Sequence, residues 1–258
     1  MLNYLYCLND LILFSLISFS CLGLCVIGVF ITKSIIPFSL RHSENPVIGN
    51  VSSLIALIYG VLAGLTALYL INNISYTNDA VQREANATAN LYRDSTILQN
   101  PYKTQIQNEI KKYLNEAISI EWPTMKIGAI VNQHGNTYID TMHSILNQYN
   151  PTQENLLFNK HDMLDEVKTL YNARQLRIAM STSELSSEIW VVILLGTILT
   201  ISINFLFAMN YYLHLLTIGA ASLMASSMIF LLITLDRPYQ GEFAVLPTPL
   251  EAVLQTIK

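Results

Sequence analysis

His134, Asp140 and His143 come nearest in type and spacing to a reactive centre: two imidazoles and a carboxylate in one short stretch can hold a divalent metal or move a proton. The spacing argues against both. No two of the five histidines stand four residues apart, and no cysteine lies near them. Loop and helix-surface positions account for these side chains. Of the three cysteines, Cys21 and Cys25 lie four apart in an apolar stretch, where a thiol is a small filler, and Cys7 stands alone. The chain has no Gly-x-Ser-x-Gly elbow, no phosphate-binding glycine loop and no dinucleotide fingerprint. It is read as a non-enzyme, with no cofactor and no metal.

The elements that carry these residues are apolar in the main. Of 258 residues, 52% are hydrophobic and 12% are charged, against about 25% charged in a soluble domain. The greater part of the charge lies between Asn72 and Ser187. Four segments are long and apolar enough to cross a hydrocarbon core, which takes ~20 residues of helix: Leu11–Thr32, Val51–Ile71, Ile189–Met209 and Leu213–Leu235. The last two share one uncharged run between Glu188 and Asp236, too long for a single crossing, and Asn210-Tyr211-Tyr212 is the expected break. The first is read as a span and not a cleaved signal peptide, since its start lacks basic residues and no small-residue cleavage site precedes Lys33. The expected layout is a first hairpin over 1–71, a polar region over 72–187, a second hairpin over 188–236 and a tail over 237–258.

Four spans put both termini and the polar region on one side. That side holds Arg83, Arg93, Arg174, Arg177 and Arg237, against Lys33 and Arg41 in the first hairpin loop, so the bias predicts a cytoplasmic polar region. A net charge of -4 gives no basic surface for nucleic acid. Within the polar region, apolar residues recur at three and four: Val81, Ala85, Ala89 and Tyr92, then Ile106, Ile110, Tyr113, Ala117 and Ile120. Helices are expected over Tyr76–Leu98, from Pro101 to a stop or kink at Trp122-Pro123, over Thr137–Gln148 and over Glu154–Ser183, with Gly128–Asn136 as a loop. The outer helices are expected to prolong the second and third spans. Nothing alternates at period two for long enough to argue a sheet, so the fold is all-α.

Gly60 and Gly64, extended by Ala56, Ala63 and Ala67, form a small-residue face on the second span that lets helix backbones approach. It serves packing within one subunit or packing around a ring of copies. No Asp, Glu, Lys or Arg lies inside any span, which speaks against coupled transport. A path gated by apolar constriction needs no such charge. Leu54, Ile58 and Leu62 on one face, or Val51 and Ile55 on another, are the residues to line it.

The order of features resembles the bacterial bestrophin-like membrane family, from about Asn50 to Leu254. The marks are Gln82-Arg83-Glu84-Ala85-Asn86-Ala87, Leu91-Tyr92-Arg93, Glu121-Trp122-Pro123, Arg174 with Arg177, Trp190, and Leu235-Asp236-Arg237-Pro238-Tyr239-Gln240-Gly241-Glu242. The resemblance implies four membrane helices with cytoplasmic termini and, by extension to bestrophins, a homopentamer with an axial pore for an inorganic ion, lined by the second span. No acidic run resembling a calcium clasp is present, so calcium gating is not carried over. Arg174 and Arg177 share a helix face, with Glu84, Glu121 or Asp236 as partners, and Glu242 is expected near the arginines together with Arg237. Such pairs fix geometry first, and in a channel they also bias the cytoplasmic mouth. The sequence therefore predicts an oligomeric channel in the bacterial inner membrane. The alternative is a non-conducting membrane scaffold or signalling adaptor whose polar helices bind a partner.

Overall fold

The computed structural model describes residues 9–241 and 243–257. Cys7 and Glu242 lie outside them. The described residues form helices and no strand: α1 (Asp10–Ile35), α2 (Phe38–Asp94), α3 (Tyr102–Glu116), α4 (Trp122–Lys126), α5 (His134–Gln148), α6 (Glu154–Ser181), α7 (Ser187–Asn204), α8 (Tyr211–Asp236) and α9 (Thr248–Thr256). They divide into two compact units, one of residues 1–72 with 184–236, the other of 73–183 with 237–258.

The first unit holds four helices long and apolar enough to cross a membrane: α1, the apolar part of α2, α7 and α8. Their large apolar side chains point outward in number, Phe19, Phe30 and Leu195 among them, as suits a hydrocarbon solvent and not water. α1 packs along α8, with Phe14 edge-on to Phe230 at 5.4 Å and a small core of Cys25, Val29 and Ile218. Two glycines permit close approach. Gly28 lies beneath the Phe205 ring, and a β-carbon on Gly196 would stand 2.6 Å from Tyr59. The Tyr59 hydroxyl shares a 2.8 Å hydrogen bond with Thr197.

The helix boundaries differ from the sequence expectation in physical detail. α2 begins at Phe38, well before Val51, and carries Pro46 inside it. Asn45, the residue before that proline, makes a reciprocal pair with the backbone of Ala208, donating at 3.1 Å and accepting at 3.0 Å. Arg41 is buried and donates to the carbonyls of Ile36 and Phe207, so its charge is spent on the hairpin ends. The break in the long apolar run covers residues 205–210, and Tyr211 and Tyr212 open α8.

In the second unit the end of α2, α3, α5, α6 and α9 enclose one core. Ile106, Ile110, Tyr113 and Leu114 of α3 are fully buried with Met142 and Leu146 of α5, Met163 and Leu170 of α6, and Leu250 of α9. The period-3.6 stripes are the stripes that pack. α5 starts at His134, three residues before the expected Thr137. α6 does not run on into α7: the helix stops at Ser181, and the Leu185 N–H is taken by the Asp236 carboxylate at 2.6 Å. Nor does Trp122-Pro123 end the third helix. A π-helical turn over Ala117–Glu121 intervenes, and α4 follows with Pro123 in its first turn, where a missing N–H costs little.

Candidate functional site

Four charged side chains meet in the core of the second unit. Glu84 comes from α2, Glu121 from the last position of the π turn, and Arg174 and Arg177 from α6. All four are within 1% of complete burial. Arg177 holds both acids, donating from Nε to Glu84 Oε2 at 2.6 Å, from Nη2 to Glu84 Oε1 at 3.0 Å, and from Nη2 to Glu121 Oε2 at 2.6 Å. Arg174 grips the other oxygen of Glu121, from Nε at 3.1 Å and Nη2 at 2.6 Å. Its remaining donors reach the side chain of Asn136 and the carbonyl of Asn132, the latter at 3.3 Å. The Tyr113 hydroxyl donates to Glu84 Oε1 at 2.5 Å.

Spacing on α6 explains the pairing, because residues three apart share a helix face and both forks point to one side. The π turn explains Glu121. One extra residue in the turn re-aims its carboxylate between the two arginines. Trp122 covers the site, with its ring 5.5 Å from the Arg177 guanidinium carbon and edge-on to Tyr239 at 5.5 Å. Burial opposes the Arg177 charge, but the carboxylates, Glu84 first, outweigh it and hold its pKa well above the ordinary value. Burial and then the Glu84 charge push the Tyr113 phenol well above its ordinary range.

Of the charged residues named from the sequence, Glu84, Glu121, Arg174 and Arg177 thus form one cluster. Asp236 closes α8 against Leu185, and Arg237 is half-buried beside Gly128. Gly135, Asn136 and Tyr113 belong to the cluster and carried no charge signal. Gly135 is the most exacting of these, since a β-carbon there collides with Glu121 Oε1 and lies 2.6 Å from Arg174 Nε. Gly135 falls in the stretch expected as a loop, so no sequence signal sets it apart; the structure puts it in the first turn of α5.

In the first unit, the small-residue face divides. Ala63 and Ala67 are packed, whereas a β-carbon on Gly60 or Gly64 meets nothing within 4 Å. Both glycines line an open cavity of about 450 Å³ with Ala56 and Tyr59 of α2, Thr197 of α7, and Met224 and Met228 of α8. Leu54 and Ile58 are 58% and 62% exposed, Val51 and Leu62 are exposed, and Ile55 is half-buried. Within this unit α2 therefore packs through Ala63, Ala67 and Leu70 and leaves Leu54, Ile58 and Leu62 exposed, as it does Leu57, Val61 and Leu65.

Residues 20–250 match the family described as the Bestrophin-like domain. The chain belongs to the bestrophin-like family. Its fold is also that of two solved structures of a bacterial bestrophin homologue from Klebsiella pneumoniae, each bearing a single substitution. One is 12% identical, with 93% of this chain covering 96% of that one and a TM-score of 0.67. The second is 13% identical, covers 93% of this chain and 97% of its own, and has a TM-score of 0.66. A structure described only as a membrane protein covers 93% and 95% at 12% identity, with the same TM-score of 0.66. No curated protein sequence matches. The bestrophin-like range takes in the four buried charges, the α2 face and Asp236-Arg237.

Three outcomes test this cluster. Gly135→Ala forces a methyl group between an ion-paired acid and base, and a cost of about 1–3 kcal/mol is expected for overpacking, read as a lower unfolding midpoint in detergent. Tyr113→Phe and Tyr239→Phe should diverge. Tyr113 satisfies a buried carboxylate, so its loss costs about 1.5–3 kcal/mol near neutral pH. The buried Tyr239 hydroxyl has no hydrogen-bond partner among the described residues, so its removal should leave stability unchanged or raise it by up to about 1 kcal/mol. The pH dependence follows from the raised Tyr113 pKa. Above about pH 10 the unfolded phenol ionises while the folded one keeps its proton, so that contribution is whole below pH ~10 and is lost as pH rises. Tyr113→Phe should flatten this alkaline limb in a pH series of unfolding midpoints.

Proposed function

We propose that the chain is the subunit of an oligomeric ion channel of the bacterial cytoplasmic membrane, with α2 lining an axial pore. One observation carries the reading: α2 buries Ala63, Ala67 and Leu70 within its own unit while Leu54 and Ile58 stand free. An apolar face left bare on a charge-free span finds a partner in lipid, in another copy, or around a water path. Membership of the bestrophin-like family favours the third. By the same likeness the assembly is a homopentamer, its permeant species an inorganic ion, and both termini cytoplasmic. Apolar rings of this kind gate by dewetting.

The buried charge cluster serves this reading as a brace. It ties the end of α2 to α6 and to the π turn, and its charges are matched and desolvated, so it holds geometry and does not bind ions. Purified protein in liposomes is expected to pass ions, and to elute as a ring of about five subunits by mass. A correctly assembled ring in a tight bilayer, or a monomer or dimer, overturns the channel and leaves a membrane scaffold whose second unit binds a partner.

A further inference from the structure

Four exposed large apolar side chains of the second unit sit on two loops that touch. Ile127 and Ile130 are 73% and 89% exposed, and Phe243 and Leu246 are 60% and 64% exposed. The first loop follows α4. Its turn is set by Gly128 at φ 69°, and it is held by Gly128 N–H to the Met125 carbonyl at 2.9 Å and Ala129 N–H to Thr124 at 3.0 Å. The second loop follows α8. It folds back on itself, with Gln240 N–H on Arg237 at 3.2 Å and Val245 N–H on Pro238 at 2.8 Å. The two meet where Gln240 and Arg237 press on Gly128, so tightly that a β-carbon there would lie 2.5 Å from Gln240 Nε2.

Among the described residues, both loops are held by these backbone hydrogen bonds. Val245, between Phe243 and Leu246, is buried in the core together with Tyr239, so the loop sorts its apolar side chains into an inward and an outward set. In this unit the large apolar residues of α3 and α5 are packed away, while Phe158 of α6 at 63%, Ile120 at 49% and Ile97 at 47% are exposed outside the two touching loops. A fixed outward apolar cluster marks a contact surface. Chain connection selects the contact. Arg237 directly follows Asp236, the last residue of the membrane-crossing helix α8. Pro238, to which Val245 is bonded, is only two residues past it, roughly 7 Å of chain.

We infer that the Ile127–Ile130 and Phe243–Leu246 loops form a membrane-interface anchor, dipping their four apolar side chains into the headgroup and upper acyl layer where α8 leaves the bilayer. Exposed Lys126, at the base of the first loop, supplies an ammonium at the phosphate level. The partner is a lipid surface.

The experiment places a nitroxide on the full chain in lipid nanodiscs, with Cys7, Cys21 and Cys25 replaced by alanine. Labels go at Ile130→Cys, Phe243→Cys and Leu246→Cys, with Asn108→Cys on an exposed turn of α3 as the aqueous reference. Dissolved oxygen, which partitions into lipid, and a water-soluble nickel chelate are the two relaxing agents. The expected result is an oxygen-to-nickel accessibility ratio several-fold higher at the three loop sites than at Asn108. A ratio equal to that at Asn108 overturns the anchor in favour of a loop in water. Low accessibility to both agents overturns it in favour of contact with a second copy. Three sites report independently, so one poorly folded variant leaves the others to decide.

Discussion

Arg177→Met is expected to lower stability by about 3–5 kcal/mol, the cost of removing one partner from a buried ion pair. Arg177 is the only member of the cluster bonded to both carboxylates, and its side chain is completely buried. Methionine fills a similar stem volume but donates nothing. Glu84 then keeps only the Tyr113 hydroxyl among its side-chain donors, and Glu121 loses half its grip. An uncompensated carboxylate remains in the core, and protonating it or admitting water is costly. Arg177→Lys should fall between, since an ammonium restores charge but cannot make the paired contacts of the planar fork. The measurement is the unfolding midpoint of the assembled protein in detergent, with Glu84→Gln alongside. A wild-type midpoint for Arg177→Met would remove the cluster as the brace of the second unit.

Leu54→Ala, Ile58→Ala and Leu62→Ala are expected to raise ion flux about tenfold, the effect of taking ~1.4 kcal/mol off a conduction barrier. The physical cause is wetting: a narrower apolar ring expels water, and a smaller side chain lets water stay. Ile58 should give the largest change, because it is the most exposed of the three in the single chain. Ile55→Ala distinguishes the faces. It is half-buried, so a pore on the Leu54–Ile58–Leu62 face predicts little change from it, whereas a pore on the Val51–Ile55 face predicts the reverse. Flux from liposomes at equal protein density is the readout. Unaltered flux in all three variants would take the pore away from this face.

Much of the fold was legible because its signals are local. Charge-free runs of span length and stripes at three and four residues depend on no distant partner, and both correspond to observed helices. The arginine pair was legible for the same reason, being three residues apart on one helix. What sequence could not supply was set by partners far along the chain. The π turn places Glu121 against arginines more than fifty positions away, and a propensity argument at Trp122-Pro123 sees only a stop or a kink. Residues 205–210 break the apolar run because the carbonyls of Phe207 and Ala208 are claimed by Arg41 and Asn45 of the other hairpin. The glycines show the limit most clearly. Gly60 and Gly64 have the spacing of a packing motif and stand open, while Gly196, outside any such spacing, lies against the Tyr59 ring.

The cluster of Glu84, Glu121, Arg174 and Arg177 also has an electrical consequence. Two guanidinium groups and two carboxylates sum to zero, and they alternate in space along the chain of contacts Arg174, Glu121, Arg177, Glu84. Seen from farther than their own spacing, such an arrangement has no monopole, and its opposed dipoles largely cancel, so its potential dies away faster than that of any single charge. An ion travelling past it is neither drawn nor repelled to a useful degree. In the proposed channel, the sign of the permeant ion would therefore be set by groups that keep a net charge facing water, because this cluster of four buried charges is, for that purpose, electrically silent.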